Sequence, residues 1–434
     1  MFINVLGAGL AGCEAAWQIA RRGINVKLYE MKPNKKTAAH SSDNFCELIC
    51  SNSLKAARVE SAAGLLKEEM RRLGSLLMQC ADKCAVPAGG ALAVDRNDFS
   101  SMVTMCIKEH PLIEVIGEEV TDFPDEGITV VATGPLTSDK FAEKITEKCG
   151  GSLHFFDAAA PIVTAASIDM DSAFTASRYD KGGDDAYINC PMNKDEYEAF
   201  HAALVSAERA PRHDVDVMNP KVYEGCMPVE ILAGRGLDTL RFGPMKPVGL
   251  RDPRTGHRPW AVLQLRTENS EKSLYNLVGF QTNLKFPEQK RVFGMIPALK
   301  NAEYVRYGVM HRNTFLDSPK LLRADYSMKD GSDIFFAGQM TGVEGYMESA
   351  GSGLIAGINA ARRLKGESPM ILPQETMLGA LAGYAAESQS ADFQPMGANL
   401  GIIPPLEEHI RDKRERAAAY ARRSLELIEA YRDK

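Results

Sequence analysis

The first apolar run of the chain, FINVL from Phe2 to Leu6, has the length and continuity of a buried strand, and the glycine-rich GAGLAG follows at once. In CEAAWQIARRG small and apolar residues recur at helical spacing, and the run stops on Gly23. NVKLYE predicts a second strand ending on Glu30, which completes a βαβ unit. Ser61 to Cys84 reads as one amphipathic helix, and DRNDFSSMVTMCIKEH as another with Asp95 or Asn97 as its N-cap. LIEVIGEEVTDFP and GITVVATG predict strands, the latter running into Ala132, Thr133 and Gly134. From about Phe155 the texture changes. APIVTAASIDMDSAFTASRY, DAYINCPM, PWAVLQLR and LYNLVGFQTNL alternate apolar with polar positions, as an antiparallel sheet broken by Pro and Gly does. DIFFAGQMTG and ESAGSGLIAGINAARRL then restore strand, glycine turn and helix, and Glu407 to Arg432 predicts a last helix rich in both charges. The expected fold is α/β: a Rossmann-like domain, residues 1–155 and 325–434, split around an inserted α+β substrate domain, residues 156–324.

Composition narrows the class. The 434 residues, 45% of them hydrophobic, support a substantial core. The start shows no basic segment followed by a cleavage site, and no apolar run approaches the roughly 20 residues of a membrane span, so a cytoplasmic location is expected. Nine cysteines, an odd number absent beyond Cys226, do not form the framework of a disulfide-stapled secreted domain. A net charge of −6 opposes wholesale coating of nucleic acid but leaves local basic patches open.

The candidate chemistry starts with Gly7, Ala8, Gly9, Leu10, Ala11 and Gly12. The first glycine suits a tight bend, the second the approach of backbone to a pyrophosphate, and the third helix-strand packing. Glu30, at the end of the second strand, is placed to accept ribose hydroxyls. A second glycine-rich strand-to-helix turn, with Gly338, Gly351 and Gly353, exceeds what a simple NAD site needs and, with Gly134, favours FAD. The alternative for Gly351, Gly353 and Gly357 is a closely packed helix pair. Cys46 and Cys50 are spaced i, i+4 and would share a face if their segment were helical, which leaves redox pair and inert packing both open. Neither CxxC nor a paired histidine tract is present to suggest zinc. Cys226 lies between Gly225 and Pro228 in a loop, with Lys221 and Arg235 near in sequence to lower its pKa. Arg241, Lys246, Arg251, Arg254, Arg258 and Arg266, with Trp260 among them, suit phosphate contacts or a solvated face. So does the charged C-terminal helix.

Taken in order, VLGAGLAGCEAAWQIARRG, ELICSNSLK, ALAVDRNDFS, VVATGPLTS, YEGCMPVE, LRFGPMKPVGL, AVLQLR and FFAGQMTGVEGYMESAGSG closely resemble the bacterial folate- and FAD-dependent tRNA (uracil-5-)-methyltransferase family. The resemblance implies a flavoprotein that takes a one-carbon unit from methylenetetrahydrofolate, with NADPH or NADH as reductant, and methylates the T-loop uridine of tRNA; a few relatives act on ribosomal RNA. It assigns Cys226 as the nucleophile on uracil. It assigns Cys50 to guarding the flavin-borne carbon or to removing the carbon 5 proton. Cys46 departs from the family pattern. Arg251, Arg254 and Arg258 become candidates for RNA backbone contacts. The rivals are the related family that places aminomethyl groups on wobble uridine, whose long helical C-terminal domain this chain does not show, and the pyridine nucleotide-disulfide reductases, whose second complete GxGxxG is not found.

Overall fold

A computed structural model describes residues 1–37, 39–150, 153–158, 160–180, 187–210, 227–308, 310–389 and 393–432. Strand β1 (Phe2–Leu6) feeds helix α1 (Leu10–Ala20), and β2 (Asn25–Tyr29) returns beside β1 in parallel. Helices α2 (Ala62–Arg72), α3 (Leu76–Lys83) and α4 (Arg96–Lys108) precede strands β3 (Ile113–Ile116) and β4 (Ile128–Val131). The single helix expected over Ser61 to Cys84 is therefore two. Gly74 turns the chain at φ +74 and Ser75 caps the second piece by accepting from Met78 N–H, a break that the uninterrupted apolar spacing conceals. Asp95, not Asn97, is the N-cap of α4.

The middle of the chain builds a different sheet from β5 (Ile162–Thr164), β6 (Phe174–Thr175), β7 (Ile188–Met192), β8 (Ala261–Thr267), β9 (Leu274–Leu277) and β10 (Tyr304–Arg306), with helices α5 (Lys194–Ser206) and α6 (Phe286–Phe293). Its order is β6-β7-β8-β9-β5-β10 and its pairings are antiparallel. A core running from Val163 to Ala302 fills this second unit. At the crossing between the units, Leu153–Ala158 pairs antiparallel with Met310–Phe315.

The chain then re-enters the first sheet with β11 (Ile334–Phe336), giving the parallel order β11-β4-β1-β2-β3. Helices α7 (Tyr346–Leu364), α8 (Met377–Glu387) and α9 (Lys413–Glu429) close the first unit, whose core runs from Ile3 to Ile428. The last helix starts later than expected from Glu407, because Asp412 caps it by accepting from Arg414 and Glu415 N–H. Among the described residues no helix is long and apolar enough to cross a membrane.

Two buried carboxylates lock these helices together. Glu14 of α1 accepts from the N–H groups of Leu76 and Leu77 at the start of α3 and from Ser75 Oγ. Glu69 of α2 does the same for α8 through Met377 and Leu378 N–H, at 2.7 and 2.8 Å, and takes Ser424 of α9 as a third donor. Burial outweighs those donors and raises the Glu69 pKa to about 7. The folded protein therefore holds this proton while the unfolded chain has lost it, so the stability contributed by Glu69 is fully present at acid pH and falls as pH rises from about 4.5 to about 7. Relative to Glu69→Gln, which does not titrate, wild-type stability in urea titrations should decline by about 1 kcal/mol per pH unit across that window. A difference that grew with pH would contradict the assignment.

Candidate functional site

The turn from β1 to α1 is shaped by what glycine alone permits. Gly7 adopts φ +94, and a Cβ there would stand 2.7 Å from the Ala132 carbonyl oxygen. A Cβ on Gly12 would stand 1.8 Å from the Gly7 carbonyl oxygen, so this third glycine packs helix on turn. Gly9 is exposed with nothing within 4 Å of its Cβ direction, and no side chain caps α1. Its first-turn N–H groups, with the positive end of the helix, are free for an anion.

Glu30 fixes the turn from below. Its carboxylate is buried and accepts from Ala8 N–H at 2.8 Å and Lys32 N–H at 3.0 Å. Each oxygen retains a lone pair, and Glu30 lines a cavity of about 110 Å³ together with Gly7, Ala8, Thr133 and Phe141. That cavity shares Gly9, His40, Glu47, Thr133 and Leu136 with a larger one of about 350 Å³. The larger one continues between the start of α1 and the start of α7, past Leu10, Ala11, Cys50, Gly134, Gly338 and Tyr346. The result is one two-lobed trough.

Its chemistry fits an FAD: an acid for a ribose in the small lobe, an uncapped helix start at the waist, and a mostly apolar large lobe for a ring system. Gly134, with φ +76, has nothing within 4 Å of its Cβ direction, so the wall at the far lobe is bare backbone. Two expected cofactor residues fall elsewhere. Gly351 and Gly353 line neither lobe. A Cβ on Gly351 would meet Leu378, and one on Gly353 would stand 2.2 Å from the Ala11 carbonyl oxygen, so both serve helix packing, with Gly357 against Ala15. The packed-pair alternative holds for these glycines, while Gly338, with φ +87, stays in the trough wall.

The two thiols of NFCELIC are not on one helix. Cys46 takes φ +53 in a loop, donates its N–H to the Ala8 carbonyl and is 2% exposed. Burial, then contact with Cys13, pushes its thiol pKa well up, which leaves it a packing residue. Cys50 is half-buried and faces the large lobe. Its Sγ lies 3.0 Å from Tyr346 Oη, which also accepts the N–H groups of Cys50 at 2.8 Å and Ser51 at 3.2 Å. Burial, then the Cys50 charge, holds the Tyr346 phenol well above its ordinary pKa, so it keeps its proton. With both lone pairs taken, that proton is left for Cys50 Sγ, and the sulphur is the acceptor.

The Cys50 loop is stapled to the second unit. Arg96 donates to the carbonyls of Leu48 at 2.7 Å and Ile49 at 3.1 Å and pairs with the buried Glu268. Arg266 of β8 reaches Asn52 Oδ1 at 2.9 Å and Ser51 Oγ at 2.7 Å, and Asn52 donates to the carbonyls of Val94 and Thr267. Arg266, read from sequence as part of a surface patch, is thus a buried bracket. Tyr346, Arg96 and Asn52 are functional neighbours that sequence reasoning passed over; Tyr346 stands just after the Gly345 turn, which was the available signal.

Cys226 and Lys221 lie outside the described residues. The described chain on either side is anchored at the trough: Ala210 N–H donates to Asn283 O at 2.8 Å, Val229 N–H to Gln281 O at 2.7 Å, and Gln281 lines the large lobe. Arg251, Arg254 and Arg258 are exposed, but Arg254 is bound through two nitrogens to Asp252 and is the least available for phosphate. Trp260 is covered by Arg241 at 3.8 Å from its ring centre. Among the described residues no group of three or more His, Cys, Asp or Glu is placed to hold a metal.

Comparison with known proteins adds three findings. A family described as Glucose inhibited division protein A matches residues 2–368. The chain is 60% identical over 431 residues to the methylenetetrahydrofolate--tRNA-(uracil-5-)-methyltransferase TrmFO of Acetivibrio thermocellus, covering 99% of this chain and 98% of that protein. The protein of the same name from Enterococcus faecalis is 58% identical over 426 residues, covering 98% and 97%. Among solved structures, Aquifex aeolicus GidA superposes with a TM-score of 0.71 at 16% identity, covering 99% of this chain and 73% of that one, which is a likeness of fold.

Proposed function

The chain belongs to the methylenetetrahydrofolate--tRNA-(uracil-5-)-methyltransferase family, and from that premise we propose that it methylates carbon 5 of the T-loop uridine of tRNA in the cytoplasm. The one-carbon donor is methylenetetrahydrofolate, and NADPH or NADH is the reductant. The observation that carries this reading is the near-complete match to relatives of that name.

In the trough, Gly7 to Ala11 would hold the pyrophosphate of FAD and Glu30 a ribose, with Gly134 and Gly338 walling the flavin end. Bound and reduced, FAD supplies a carrier for the one-carbon unit and the hydride that completes the methyl group. The protein supplies the rest. Carbon 5 of uracil is a poor nucleophile until a thiolate adds at carbon 6, and that thiolate is assigned to Cys226. The anchoring of Val229 on Gln281 supports this, because it ties the chain three residues beyond Cys226 to the wall of the large lobe. Once carbon 5 has taken the one-carbon unit, its proton must leave before the bond from sulphur to carbon 6 can break. Cys50 is the assigned acceptor, and the Tyr346 hydroxyl aimed at its sulphur favours the thiolate that this role requires.

Arg251 and Arg258, exposed and outside any ion pair among the described residues, are the better candidates for the RNA backbone. Two transcripts test the site of modification: one with the T-loop uridine changed to cytidine should take up no label from the folate, and one with the wobble uridine changed should be labelled as wild type. The reverse pattern would sink the T-loop assignment and favour the wobble-uridine rival.

A further inference from the structure

Three aromatic rings of the second unit form a column that the chemistry above leaves without a role. Tyr304 stacks on Tyr307 with centroids 5.0 Å apart and planes 9° from parallel, and Tyr307 on Phe286 at 4.7 Å and 16°. The outer ring is open to solvent, with Phe286 50% exposed. The column depends on an irregularity in edge strand β10. Tyr304 pairs with Val163 and Arg306 with Ile162, so the register shifts across Val305. In a regular strand, residues three apart point to opposite faces; a bulge re-aims them, and bulges recur beside active sites.

An arginine of the same strand adjoins the column. Arg306, half-buried between the two tyrosines in sequence, has no hydrogen bond or ion pair among the described residues. Burial and then Arg96 lower its pKa, while Tyr346, Glu47 and Cys50 oppose that shift, so the guanidinium is within electrostatic reach of residues that line the large lobe. Gln281, in the lobe wall, shortly precedes Phe286, and the segment 281–283 anchors both Ala210 and Val229. The column therefore stands where the chain leaves for and returns from the Cys226 segment. An exposed ring backed by further rings, with a cation near it in the fold, is how proteins hold a base that has left its stack.

We propose that Phe286, backed by Tyr307 and Tyr304, is a stacking platform for an unpaired base of the tRNA loop, with Arg306 facing the adjacent phosphate. The inference rests on tRNA being the substrate. It is tested with the FAD-loaded full chain and a T-arm hairpin carrying 2-aminopurine beside the target uridine. Phe286→Ala should weaken hairpin binding roughly tenfold or more and abolish quenching of the probe, while Phe286→Trp retains both. Arg306→Gln should reduce the salt slope of binding by about one. Flavin content and the urea midpoint of Phe286→Ala should match wild type, and a blunt duplex of the stem should bind both proteins equally. Unchanged hairpin binding and quenching in Phe286→Ala, or an equal loss for hairpin and duplex, overturns the platform. A wild-type protein that binds no hairpin overturns the tRNA reading instead.

Discussion

Cys226→Ala is expected to load FAD normally yet lose methyl transfer by on the order of a thousandfold or more, because without addition at carbon 6 the uracil ring never gains a nucleophilic carbon 5. Flavin binding should survive, since the residues that line the trough are Gly7 to Ala11, Glu30, Gly134, Gly338 and their neighbours. The covalent step gives a second readout. An RNA with 5-fluorouridine at the target carries no removable proton on carbon 5, so wild-type protein should remain attached to it on a denaturing gel and Cys226→Ala should not. Cys46→Ala is the control: this thiol is buried and held protonated, so transfer should stay within about twofold of wild type. A fully active Cys226→Ala would remove the nucleophile, and a strong loss in Cys46→Ala would revive a dithiol mechanism.

Gly353→Ala should damage the first unit severely, because it puts a methyl group between two packed helices. The added carbon would lie 2.2 Å from the carbonyl oxygen and 2.7 Å from the Cα of Ala11, and backbone in a packed helix has nowhere to go. Helices α1 and α7 must separate, at a cost of about 3 kcal/mol, with the cofactor turn attached to one of them. Urea titration should show the lost stability and flavin absorbance the lost FAD. Gly90→Ala, which meets nothing within 4 Å, should stay within about 0.5 kcal/mol of wild type. A stable, flavin-loaded Gly353→Ala would mean that the helix pair is not the support of the site.

That glycine also shows where the sequence could be read and where it could not. The βαβ unit, with Glu30 following its second strand, was legible because strand, turn and helix follow one another within a short stretch, and each imposes a local rule. The parallel sheet and the change to antiparallel pairing were legible for the same reason: both rest on apolar periodicity. Gly351 and Gly353 were misread as cofactor residues because a glycine after a strand looks the same whether phosphate or another helix approaches it. The partners that decide lie on other helices: Ala11, at the other end of the chain, for Gly353 and Leu378 for Gly351. The spacing of Cys46 and Cys50 gives a shared face only on a helix, and Cys46 instead has left-handed backbone with its N–H bonded across the fold to Ala8. Asn52, Arg96 and Tyr346 escaped notice, and Arg266 was taken for part of a surface patch, because their value lies in bonds across the fold, between residues that no local pattern connects.

The most direct measurement follows the carbon itself. The FAD-loaded protein is incubated with a T-arm transcript, NADPH and methylenetetrahydrofolate labelled in its methylene carbon, and the RNA is digested and analysed nucleoside by nucleoside. Label is expected in the methyl group on carbon 5 of the T-loop uridine, and none when folate or reductant is left out. Label elsewhere in the RNA, or no label with both present, would contradict the proposed function.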